Sequence, residues 1–118
     1  MKSGNIVKDK SYHFALNIVR VVRELQLNKK EFVLSNQLMR SGTSIGANVE
    51  EAIGAASRKD FLNKMTIAYK EARETHYWLR LLKDSKYLNE KVVVKMNGDC
   101  LELMKIIGSI QKTIKKHD

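Results

Sequence analysis

The sequence predicts an all-α fold, an antiparallel up-down four-helix bundle forming a single domain over residues 1–118. Three observations predict it. Proline is absent and the 6 glycines are scattered, which leaves helices unbroken and deprives a β fold of its turns. Four stretches carry apolar side chains at alternating steps of three and four, the spacing that gathers them on one face of a helix. The segments between these stretches are short, so successive helices become antiparallel neighbours. A chain of 118 residues is also long enough to bury one continuous core.

The first helix is expected from about residue 8 to Leu27, on Phe14, Ile18, Val21 and Leu25 with Ala15 and Val22 widening the stripe, and Asn28-Lys29-Lys30 supplies a turn. The second runs roughly from 33 to 55 on Leu34, Leu38, Ile45, Val49 and Ala52, and Gly54-Ala-Ala-Ser57 closes it. Ser57 then caps the third helix. There Phe61, Met65, Ala68, Ala72, Thr75, Leu79 and Leu82 keep a strict heptad. The loop Asp84-Ser-Lys-Tyr-Leu-Asn89 follows, with Asn89 as the next cap. Val93, Met96, Cys100, Leu103, Ile107, Ile110 and Ile114 line the fourth helix. Cys100 lies inside that stripe and is expected to be a buried structural thiol.

The second helix also breaks the usual pattern. Gln37, Ser41, Ser44, Asn48 and Glu51 recur at steps of 4, 3, 4 and 3, beside the apolar stripe. A polar group entering a core without a hydrogen bond costs about 1 kcal/mol or more, so the row calls for a specified partner. Gly42 and Gly46, one turn apart, allow another helix to approach closely. On the third helix a second row, Ile67, Glu71, Glu74, Trp78 and Leu81, lies about 100° from the core stripe. It is either a widened core face with Trp78 half covered or an interface, and the interface predicts a homo-oligomer. Arg40 is placed to meet Glu71 or Glu74, with Gln37, Ser41, Ser44 and Asn48 completing a network within the bundle or between subunits.

Charge narrows the partners. The net charge is +9, with 22 Lys and Arg against 13 Asp and Glu. Such an excess favours nucleic acid first and an acidic protein or membrane surface second, although it also suits a plainly solvated surface. Lys59, Lys70, Arg73 and Arg80 fall opposite the core stripe of the third helix; Lys105, Lys112 and Lys116 do so on the fourth, as do Lys91 and Lys95. Aromatic residues for stacking on bases are sparse outside the core, which predicts binding that is mostly electrostatic and weakly sequence-specific. The rival reading is a protein-interaction scaffold whose charge serves solubility or steering. A membrane span is not expected, because no run of about 18 apolar residues exists. The beginning of the chain lacks the apolar core of a signal peptide, and its single cysteine fits a reducing cytoplasm.

Catalytic patterns are weak. His13, His76 and His117 are not spaced for metal, and no phosphate-binding loop, Cys-x-x-Cys pair or nucleophile elbow occurs. Glu50-Glu51 with Glu71-x-x-Glu74 resembles the carboxylate layout of the all-α nucleotide pyrophosphatases, which hold magnesium between helices. That pattern ends in Asp where this chain has Glu74, and pairing of these acids with Arg40 and Arg73 accounts for them better. No enzyme activity, cofactor or metal site is expected.

The run Gln37-Leu-Met-Arg-Ser-Gly-Thr-Ser-Ile-Gly-Ala-Asn-Val-Glu-Glu-Ala52, continued by Ser57-Arg-Lys-Asp-Phe61, Ile67-Ala-Tyr-Lys-Glu-Ala72 and Glu74-Thr-His-Tyr-Trp-Leu-Arg-Leu-Leu82, resembles the signature of the bacterial four-helix-bundle proteins first noticed as open reading frames in 23S rRNA intervening sequences. The resemblance spans roughly residues 10 to 115. Many relatives have Pro after the Ser-Ile pair and Gly after the Glu; here those places hold Gly46 and Ala52. The resemblance implies a homo-oligomer, a ring-shaped pentamer in the family, and it implies no reaction. More distant bundles of the same architecture, accessory proteins of diversity-generating retroelements, are basic pentamers that bind nucleic acid and a reverse transcriptase. This chain lacks the glycine-tryptophan pattern of those accessory proteins, so they serve as analogy.

Overall fold

The computed structural model describes residues 3–116. Four helices follow one another: α1 (Ser3–Asn28), α2 (Val33–Ile53), α3 (Arg58–Asp84) and α4 (Glu90–Lys116). α1 packs on α2, α2 on α3 and α3 on α4, while α1 and α4 close the ring through the thinnest contact. The bundle measures 47 × 23 × 21 Å. The expected four-helix architecture is thus the observed one.

The core is the set of apolar stripes turned inward. Phe14, Ile18, Val22 and Leu25 of α1 meet Leu38, Ile45, Val49 and Ala52 of α2; Met65, Ala68, Ala72, Leu79 and Leu82 of α3 meet Val93, Met96, Cys100, Leu103 and Ile107 of α4. α1 begins a turn and a half earlier than the apolar pattern suggests. Val7 is fully buried and extends the stripe, but the polar Ser11 interrupts the pattern. Ser11 satisfies its hydroxyl by donating to the Lys8 carbonyl at 3.1 Å.

Helix ends follow local chemistry. Ser57 Oγ accepts from the Asp60 amide at 3.1 Å, and Asn89 Oδ1 accepts from the Lys91 amide at 2.7 Å, as caps do. α2 starts differently. Its flanking residue Phe32 makes no side-chain cap, and the preceding Glu31 takes the role. The Glu31 carboxylate accepts from the amides of Val33, Leu34 and Ser35, the last at 2.7 Å. An anion there also meets the positive end of the helix dipole.

α2 turns two glycines, Gly42 and Gly46, toward α1. A Cβ at Gly42 would sit 2.7 Å from Ile18 Cγ1, and one at Gly46 would sit 3.2 Å from the Ser11 carbonyl oxygen. The helix that these glycines admit is therefore α1 of the same chain.

Candidate functional site

The polar ridge of α2 divides into three parts. Gln37 and Glu51 are exposed, Ser44 and Asn48 are half-buried, and only Ser41 is fully buried. The ridge is therefore not a continuous buried row. Its helical spacing matches a core stripe, but the row sits at the margin of the α2–α3 contact, where side chains reach water at both ends. Ser41 Oγ accepts from the buried Thr75 hydroxyl at 2.9 Å. Asn48 Nδ2 donates to the Ser44 carbonyl at 2.9 Å and to Ser44 Oγ at 3.0 Å.

Arg40 is the centre of the outer part. Its guanidinium pairs with Glu71 at 3.2 Å and with Glu74, and it donates to Gln37 Oε1 at 3.1 and 3.2 Å. Glu74 also accepts from the Trp78 indole N–H at 2.9 Å. Gln37, Arg40, Glu71, Glu74 and Trp78 thus come together within one chain and tie α2 to α3. Arg73, expected to share these acids, does not; it turns to the other side of α3. The same pairing bears on the carboxylate layout considered above. Glu71 and Glu74 each pair with Arg40 through one carboxylate oxygen, and that of Glu74 also accepts from Trp78, while Glu50 and Glu51 are exposed further along α2. Among the described residues no group of three or more His, Cys, Asp or Glu is placed to hold a metal ion.

The basic residues take the other flank of α3. Lys59, Lys70, Arg73, Arg80, Lys105, Lys112 and Lys116 are all exposed. On α3 the four fall within roughly 80° of one another, and on α4 the three fall within roughly 40°. A cleft of about 660 Å³ opens between the two helices, and Lys70, Arg73 and Arg80 line it together with Glu74, His76, Tyr77, Trp78, Leu101 and Met104. Lys59, Lys105, Lys112 and Lys116 lie outside its wall. Lys105 is one turn beyond Leu101 on α4, so its stripe continues from the cleft toward the end of the bundle. Among the described residues the one carboxylate lining the cleft is Glu74, which pairs with Arg40 of α2.

Two groups beside the cleft have altered acidity. Partial burial, and then the nearby Arg80 charge, hold the pKa of His76 below its ordinary value of 6.5. The Cys100 thiol is pushed up to about 12, chiefly by burial. It donates to the Ala72 carbonyl at 3.2 Å, the geometry of an inert packing thiol.

Sequence reasoning missed Tyr77 and Leu101 as parts of this face. The signal was present: Tyr77 stands four residues after Arg73 and three before Arg80, on the same helical stripe. Glu31 was missed as a cap for a different reason: it lies one residue before Phe32, the flanking position where a capping side chain is ordinarily sought.

Comparison with known proteins places this geometry among relatives. The family model described as 23S rRNA-intervening sequence protein matches residues 4–109. The chain is also similar to a crystal structure of a protein of unknown function from the S23 ribosomal protein family of Bacteroides thetaiotaomicron VPI-5482. The two share 50% sequence identity with a TM-score of 0.92, over 94% of this chain and 99% of that one. No curated protein matches the chain. No helix among the described residues is long and apolar enough to cross a membrane.

Proposed function

The chain belongs to the family of 23S rRNA-intervening sequence proteins, and from that premise we propose that it is a non-enzymatic bundle that binds RNA or DNA electrostatically through the α3/α4 face. One observation carries the reading: Lys70, Arg73 and Arg80 converge on a single cleft whose one acid is already paired elsewhere. Cations so placed repel one another in the free protein, and a polyanion relieves that repulsion while releasing its own counterions. The α4 stripe of Lys105, Lys112 and Lys116 extends the path. The reading includes a homo-oligomer, a ring-shaped pentamer by family resemblance, working in the cytoplasm, in which several such faces act together.

Charge reversal tests it. Changing Lys70, Arg73, Lys105 and Lys112 to Glu together abolishes binding of labelled RNA and DNA while circular dichroism and oligomeric mass stay as in the parent. Undiminished affinity in that variant refutes the reading, and a protein scaffold, the rival, then accounts for the exposed face. Native mass measured on the parent and on Trp78→Ala tests the assembly. If the row of Trp78 on α3 is a subunit seam, the variant loses its native oligomeric mass, and retention of that mass refutes the assignment.

A further inference from the structure

The cleft holds a feature that purely electrostatic binding does not need. Tyr77, 48% exposed, stands among the cations of the cleft wall. Trp78 braces its ring edge-to-face, with centroids 5.0 Å apart and planes at 70°, and Trp78 is itself tied to Glu74. The Arg80 guanidinium lies over the ring, 5.8 Å from its centroid. Across the cleft, α4 presents Leu101, 50% exposed, beside the half-buried Met104. An aromatic held upright by a second aromatic loses little freedom when something stacks on it, and a stacked base would cover apolar surface now left in water.

The two forms of nucleic acid would use this surface differently. A duplex offers phosphates to the cations but keeps its bases stacked inside, leaving Tyr77 and Leu101 wet. A single strand offers both phosphates and unstacked bases, and the combination of a basic groove with an aromatic platform suits it. We propose that the α3/α4 cleft is a site for a single-stranded polynucleotide, with one base stacked on Tyr77 beside Leu101 and the flanking phosphates held by Lys70, Arg73 and Arg80. This inference rests on the nucleic-acid reading above and narrows it to strands with unpaired bases. Arg80, already over the ring, covers the outer face of the base or turns to the adjacent phosphate. Because every base has a π-face, the site discriminates strandedness more than sequence.

The test uses the full chain with fluorescently labelled single-stranded RNA and DNA of one sequence, their duplexes, and an abasic strand of equal length. Single strands bind more tightly than duplexes and than the abasic strand, and the RNA and DNA arms show which polynucleotide the site takes. Tyr77→Ala weakens single-strand binding about 5- to 150-fold and duplex binding far less, whereas Tyr77→Phe keeps the parent affinity. The emission of Trp78, the chain's only tryptophan, changes with the natural strand and not with the abasic one. Equal affinity for abasic and natural strands, or full single-strand affinity in Tyr77→Ala, overturns the stacking site while the electrostatic reading survives. No binding of any probe at low salt overturns both.

Discussion

Gly42→Ala places a methyl group where the structure has no room. The added Cβ would lie 2.7, 2.8 and 2.9 Å from Cγ1, Cδ1 and Cγ2 of Ile18. Two of those atoms branch directly from the Ile18 Cβ, and the side chain is stiff and fully buried, which restricts how far it withdraws. α1 and α2 must instead part locally. Overpacking of this kind costs about 1–3 kcal/mol, against a gain of roughly 0.5–1 kcal/mol from replacing a glycine inside a helix. The middle of these ranges is a net loss of about 1 kcal/mol, which lowers Tm by about 3–6 °C in a chain of this size. Urea unfolding followed by circular dichroism, at one protein concentration, should show a lower midpoint with an unchanged slope. Ile18→Ala supplies the control: it destabilises less in the Gly42→Ala background than in the parent, because the methyl then fills part of the space vacated. A Gly42→Ala protein as stable as the parent, or strict additivity of the two changes, refutes the close-approach argument.

Further predictions concern groups with unusual surroundings. Glu31→Ala removes the acceptor of three backbone amides at the start of α2 and lowers stability by about 1 kcal/mol, read from the urea midpoint. His76 takes its proton at lower pH when folded than the 6.5 expected of the unfolded chain. Below that pH the unfolded state binds more protons, so stability falls as pH drops from about 7 toward 5. His76→Gln should have a shallower fall over that window, and an identical profile contradicts the assignment. Cys100, with its thiol raised to about 12, should react with a thiol reagent at pH 8 only as fast as the bundle opens. Labelling at the rate of a free thiol in the native protein would show that it is not enclosed.

The helices were legible because their apolar residues obey one period and no proline interrupts them. Where a polar residue occupied a core position, as Ser11 does, the pattern faded and the first turns of α1 were lost. The α2 ridge shows the converse. Its spacing is that of a buried stripe, yet Gln37 and Glu51 are exposed, because periodicity fixes a direction around the helix and not how far the neighbouring helix extends. Arg40 with Glu71 and Glu74 was legible as a pair from charge and phase, but only packing determines that one chain supplies all three. The cleft was the least legible feature. It depends on the register between α3 and α4, fixed by contacts such as Gly108 against Tyr69 and Cys100 against the Ala72 carbonyl, which no single helix encodes.

The measurement that tests the central claim most directly is the affinity of the parent protein for labelled RNA and DNA across a salt series. If Lys70, Arg73 and Arg80 neutralise phosphates, log affinity falls linearly with log salt with a slope of about −2 to −3 per face engaged, and more steeply if several faces act together. The absence of binding at low salt, or an affinity indifferent to salt, would contradict the account and leave the basic face a solvated surface.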